Sequence, residues 1–201
     1  EAVALPVAYG KNLFGGVAVK RRITSSYVAS ALTGTNNFSK SFSNTSRSGR
    51  KNEYLHVQHA ICQDGIDSVV GVKVNDFDYN DANQRFSHSI RTYRTGGTAD
   101  PIASANGLPS TNRFTGTAYA SSTFKLDRDD PQYNGEPQMG FLVKGRRVRA
   151  VTLSAGVYSL SGTYSYSNNP ALCLLDYLLN TTFGRGLSVN EVDLESFYNS
   201  A

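Results

Sequence analysis

Tryptophan is absent, methionine occurs once (Met139), and 201 residues hold only two cysteines, three histidines and six prolines. So few cysteines exclude a disulfide framework, and no CxxC pair or Cys/His ligand spacing occurs. Cys62 and Cys173 each lie in an apolar run, where a thiol acts as a small buried hydrophobe, in keeping with a reducing assembly compartment. No run of 18 apolar residues is present, so no membrane-spanning helix is expected. The opening Glu1-Ala2-Val3-Ala4-Leu5-Pro6 lacks a basic stretch and is interrupted by proline, unlike a signal peptide. With glutamate at position 1 and the single methionine at 139, the expectation is a processed product or, preferably, a piece of a longer chain. Collagen and coiled-coil classes are excluded by composition as well.

What is present favours strands. Charged residues make up only 18%, beside 18 glycines, 12 tyrosines and 10 phenylalanines, and Ser, Thr and Asn are abundant. That mixture suits strands and turns better than long helices, and the aromatic content argues against disorder. A chain of this length buries roughly 70% of its extended surface on folding, enough for a core without staples. The net charge of +4 comes from both signs spread along the chain, so charge alone does not indicate a nucleic-acid partner.

Along the chain, Val3–Tyr9 and Leu13–Val19 read as strands around a turn at Gly10-Lys11-Asn12. Residues 24–51, rich in Ser, Thr, Asn and Gly, read as a flexible surface loop insertion. Further strands are expected over Tyr54–Cys62, Ile66–Val74, Phe86–Tyr93, Thr117–Leu126, Met139–Val148 and twice within Val151–Tyr166. In Thr117–Leu126 the residues Ala118, Ala120, Ser122 and Phe124 share one face. Asp100-Pro101 is a short-helix start. Asn169 as N-cap and Pro170 in the first turn open a helix with apolar Leu172, Leu175 and Leu179, widened by Leu174 and Leu178. Asn180 and Gly184-Arg185-Gly186 end it, with a positive φ expected at Gly184 or Gly186. Ser188 to Glu191 then reads as a capping box for a second helix carrying Val192, Leu194 and Phe197. The fold expected is α+β, mainly β: an antiparallel sandwich or barrel-like domain over 1–167, then a short αα unit over 168–201 that continues into further sequence.

No catalytic constellation emerges. The chain has no Gly-x-Ser-x-Gly elbow. His56 and His59, three apart on a strand, face opposite sides and read as polar surface or edge residues; His88 stands alone. Asp76-Phe77-Asp78-Tyr79-Asn80 begins like a calcium loop, but Asp81 and Ser87 stand where glycine and glutamate belong, so an acidic turn is expected. Asp127, Asp129 and Asp130 read as a solvated turn. Gly184-x-Gly186 follows a helix and lacks a third glycine, unlike a dinucleotide loop. No metal or cofactor is expected. The densest charge, Lys144, Arg146, Arg147 and Arg149, splits between two faces if it lies on a strand, which weakens a phosphate track but leaves a candidate interaction surface.

Several collinear stretches resemble the tail tip hub (tip attachment, host-specificity) proteins of tailed bacteriophages. These are Leu5-Pro6-Val7-Ala8-Tyr9-Gly10 with Gly16 to Val19, Asn52 to Val57, Asp64-Gly65-Ile66, and Val74-Asn75-Asp76. Phe114 to Ala120, Gly135 to Gln138, and Phe141 to Arg147 follow. Asn169 to Leu172, Asp176-Tyr177-Leu178, Phe183 to Leu187, and Val192 to Leu194 with Phe197 complete the set. Residues 24–51 have no counterpart, and the chain is far shorter than such proteins usually are. The resemblance implies a β domain related to tail tube proteins and a homotrimeric structural hub in the virion, assembled in the bacterial cytoplasm. It implies that the hub closes the tail tube at the tail tip and opens it for DNA ejection. Its partners would be the distal tail ring, tail tube, tape measure protein and tail fibres, with DNA only in transit. Two other classes stay open: a carbohydrate-binding β module of a tail fibre, from the tyrosines at 158–166, and a wall hydrolase, from the Asp127–Asp130 cluster.

Overall fold

The computed structural model describes residues 5–27, 51–75, 77–78, 86–91, 100, 107–109, 111, 113–126 and 136–201. As expected, the chain is mainly β, with antiparallel sheets and two helices near its C-terminal end. One sheet is ordered β2 (Val17–Tyr27), β3 (Lys51–Gln63), β7 (Thr117–Leu126), β6 (Phe86–Arg91). The other is ordered β1 (Lys11–Phe14), β8 (Met139–Lys144), β4 (Ser68–Val74), β5 (Phe77–Asp78). Their inner faces supply one core. Met139, Phe141 and Val143 alternate inward from β8 and Val72 and Val74 from β4, against Leu55, Val57, Ala118, Ala120 and Phe124. Alternation at period two is what lets each strand turn one face to the core.

Strand β3 is buried throughout from Leu55 to Cys62, so its outer face is covered too. That face carries His56 and Gln58 beside Thr123 and Ser121 of β7, and Asp100 lies over it. The expected helix at Asp100-Pro101 falls outside the described residues beyond Asp100. The carboxylate of Asp100 accepts from Ser121 Oγ and from Gln58 Nε2 (3.3 Å).

Three boundaries differ from expectation. Lys11 and Asn12 belong to β1, paired with Lys144 and Val143, so the bend is confined to Gly10 (φ +64°), while Gly15–Gly16 break the following run, as their sequence suggests, into β1 and β2. Gly16 has φ +70°, and a Cβ there would lie 3.1 Å from both His59 and Phe141. Before β1, residues 5–9 form no strand; Val7 makes an isolated parallel bridge to Gln63. Thr24–Tyr27, expected in the loop, extend β2 and pair with Lys51–Tyr54. Thr and Ser lack apolar periodicity, yet backbone pairing to β3 holds them in the sheet. The rest of the expected loop, 28–50, lies outside the described residues.

The stretch expected as one strand, Met139–Val148, is two. Strand β9 (Arg147–Ser154) follows β8 after a break at Gly145–Arg146 and forms a hairpin with β10 (Val157–Tyr166). Its two-residue turn has positive φ at both Ala155 (47°) and Gly156 (76°), the geometry that matches strand twist. Helices α1 (Pro170–Leu179) and α2 (Leu194–Ser200) pack on this hairpin around a second core of Val148, Val151, Leu172 and Leu175. The line at 167/168 therefore runs through a packed unit. Asn169 Oδ1 accepts from Ala171 N (2.8 Å), the cap expected for α1, but Leu174 faces solvent at 51% exposure. The Ser188–Glu191 capping box is formed, yet it opens a 3₁₀ turn; α2 starts later, on Asp193, whose carboxylate accepts from the backbone of Glu195 and Ser196.

Candidate functional site: a half-buried arginine junction

The break between β8 and β9 is set by Gly145. A Cβ there would lie 2.4 Å from Ala8 O and 2.9 Å from Tyr9 Cα. Without one, Gly145 N donates to Gly10 O and Arg146 N to Ala8 O, both at 2.7 Å. This lays the chain at 8–10 against the break and turns Arg146 out of strand alternation. Its side chain, 20% exposed, points between the two cores.

Four groups converge on it. Arg146 Nε donates to Asp176 Oδ2 at 2.9 Å, and Nη1 donates to Asp64. The guanidinium lies 5.3 Å from the centre of the Phe183 ring, and Tyr9 OH donates to the same Asp176 oxygen at 2.7 Å. Asp176, 10% exposed, projects from α1, whereas Asp64 comes from the turn after β3, at φ +64°. Burial works against the Arg146 charge, but Asp176 and Asp64 outweigh it and hold the guanidinium above its ordinary pKa. Burial, with the bond to Asp176, pushes the Tyr9 phenol up in turn. A charge-assisted network of this kind carries a large penalty if one partner is removed, because the other is left half-buried and unpaired.

The loop after α1 places Phe183. Asn180 Oδ1 accepts from Thr182 N (2.8 Å) and Phe183 N (3.2 Å). The free carbonyls of the last turn then receive Arg185 N (at Tyr177 O, 3.1 Å) and Leu187 N (at Leu178 O, 2.9 Å). Gly186 carries the positive φ, +69°. Gly184 is required for a different reason: a Cβ would fall 1.8 Å from Tyr177 O and 2.8 Å from Asn180 O.

The basic run does not form one surface. Arg146 is drawn into the junction. Arg147 Nε donates to Asp67 Oδ1 (2.6 Å), and that bond holds the Asp67 carboxyl below the usual carboxylate range. Lys144 lies over the Tyr166 ring (5.2 Å) and Arg149 over Tyr164 (5.5 Å). Each cation thus has a partner within the chain. The tyrosines of 158–166 are also engaged: Tyr158 packs at a tilt of 56° against Tyr198, with ring centres 5.4 Å apart.

The histidines were expected at the surface, and His56 and His59 are buried. The strand alternation placed them on opposite faces of β3; it could not show that both faces are covered. His56 bonds Thr24 Oγ1 (2.8 Å) and Thr123 Oγ1 (3.0 Å) through its two ring nitrogens. Burial, with Arg22 nearby, pushes its pKa down. His59, 4% exposed, lies 5.8 Å from the Phe141 ring; among the described residues its Nδ1 has no hydrogen-bond partner, and burial again lowers its pKa. With the Arg21–Glu136 ion pair (2.5 Å) and the Gly15–Gly16 turn it lines a cavity of about 370 Å³. Cys62 is sealed in the sandwich and burial pushes its thiol up to about 12, so it is not a ready nucleophile. Among the described residues, no group of three or more His, Cys, Asp or Glu is placed to hold a metal ion. Asp78 lies 3.7 Å from Lys73 Nζ; Asp76, Asn80 and the Asp127–Asp130 cluster fall outside the described residues, and the side chain of His88 is likewise not described. Sequence reasoning missed Asp64 and Asp176 as partners of Arg146, and Tyr9 as a partner of Asp176. The contacts join residues as much as 167 apart, and no local pattern marks them.

No family model matches the chain, and no curated protein matches it. Among solved structures it is similar to a chain described as "Virion of native gene transfer agent (GTA) particle". The identity is 20% and the TM-score 0.35, over 72% of this chain. The match spans 29% of the length of that longer chain.

Proposed function

We propose that the chain is a structural component of the tail tip or baseplate hub of a tailed bacteriophage, without catalytic activity. It acts as a closed homotrimer that seals the tail tube and forms part of the DNA conduit during host attachment. One observation carries the reading. The stretches that resemble hub proteins, though far apart in sequence, meet at one point in the fold. Tyr9-Gly10, Asp64, Gly145-Arg146, Asp176 and Phe183 with its glycine loop all belong to those stretches, and all build the Arg146 junction. Residues that build a mechanical joint converge on a structural ion pair in this way, whereas an enzyme's surround a reactive group. The partners are the distal tail ring, the tube and tape measure proteins and tail fibres, and DNA meets the chain only in transit.

The test is imaging of virions labelled against this chain. Three equivalent copies on the tail axis at the tip are expected. Six equivalent copies, or one copy off the axis, would replace the hub by a tube or fibre role. Clearing of host cell walls by the purified chain in a zymogram would overturn the non-enzymatic part.

A further inference from the structure

An unpaired strand edge invites another chain unless charge, proline or a bulge blocks it. Among the described residues all four sandwich edges carry such guards; β6 ends with Arg91. Strand β1 begins with Lys11, β5 ends with Asp78, and β2 carries Lys20, Arg21 and Arg22 beside a register shift between Ala18 and Lys20. The β9–β10 hairpin differs. From Ala150 to Leu175 the chain has no Asp, Glu, Lys, Arg or His, 26 consecutive residues in a protein that is 18% charged. Among the described residues each hairpin strand has a hydrogen-bonded neighbour on one side only. Beside the turn, Leu153 and Val157 are 44% and 65% exposed.

We propose that this hairpin is the surface through which two copies of the chain meet, strand edge against strand edge, over Val151–Ser154 and Val157–Leu160. The observations favour a second copy over a foreign protein on electrostatic grounds. Each copy carries +4, so two copies repel least at strands that hold no charge of their own, and the carboxylate of Glu195 on α2 that reaches Tyr158 OH (3.3 Å) adds no positive charge there. An uncharged edge likewise offers nothing to steer or select a charged partner. Pairing would cover the open backbone groups together with Leu153 and Val157, and it leaves the Arg146 junction untouched. The inference deepens the homotrimer reading, on which it rests for the presence of several copies.

Sedimentation velocity of the full chain over a concentration series tests it. The wild type is expected to associate, and Leu153→Lys with Val157→Lys is expected to raise the midpoint concentration at least tenfold. The single variant Val157→Lys, at the more exposed position, serves if the double variant melts early. Ile23→Lys, an equally exposed apolar position on the guarded β2 edge, is expected to associate like the wild type. Unchanged association of the folded lysine variants, or a wild type monomeric throughout, overturns the hairpin contact. The two readings separate cleanly. A trimer that survives the lysines leaves the hub proposal standing without this interface, whereas a lysine-sensitive dimer keeps the interface and removes the three-fold symmetry.

Discussion

The two cores of this molecule are held together by different means. The sandwich is closed by long strands whose alternating side chains meet across two sheets, and β3 is sealed on both faces. The hairpin–helix unit has a small core, around Val148, Val151, Leu172 and Leu175, and depends on particular local devices. These are the Asn169 cap, the glycine loop after α1 and the Arg146 junction that ties it to the sandwich. The first is stable through area and the second through placement. A region built on placement is the one whose orientation a few residues can fix or release.

The largest effect should come from the sandwich. Phe141 is fully buried, and Phe141→Ala should cost about 3–5 kcal/mol through the cavity it leaves. Chemical denaturation should show the sandwich unfolding earlier, since Phe141 belongs to its core and not to the second one. Gly184→Val should cost somewhat less, roughly 3 kcal/mol, because the added atoms collide with Tyr177 O and break the backbone bonds that close α1. Hydrogen exchange should then rise over 170–201 while β3 and β7 stay protected. Equal loss of protection in both regions would erase the distinction between the cores.

Acid should separate them next. His56 and His59 sit in the sandwich, and the hairpin–helix unit contains no histidine. Their native pKa values lie below the ordinary value of about 6.5, so the unfolded chain takes up protons first. Their contribution is complete above that value and declines as pH falls from it towards the depressed native values. Tm should therefore drop between pH 7 and pH 5, with a shallower slope in His59→Phe, which also removes the unpaired Nδ1. An unchanged slope would show that His59 titrates alike in both states. The smallest effect is a gain: Ala155→Asn suits the left-handed turn position and should stabilise the hairpin by roughly 1 kcal/mol, visible as a higher Tm.

What could be read ahead of the structure follows the same division. Local signals were legible: the Asn169-Pro170 helix start, the inward face of β7, and a positive φ at one of Gly184 and Gly186, found at Gly186. The Ser188 capping box was legible too, but not that a 3₁₀ turn would intervene before Asp193 starts α2. Burial of His56 escaped because the partners that enclose its ring, Thr24 and Thr123, stand 32 and 67 residues away. The junction escaped for the same reason. Arg146 reads as one cation in a basic run until Gly145 lets the chain at Ala8 approach, and its two carboxylates come from separate parts of the chain.

Arg146 and Asp176 act as one joint between the cores. A double-mutant cycle with Arg146→Met and Asp176→Asn, measured by denaturant unfolding, tests it most directly. A coupling energy of about 1.5 kcal/mol or more is expected, with each single variant costing nearly as much as both together. Single-variant losses that add, leaving a coupling near zero, would contradict it.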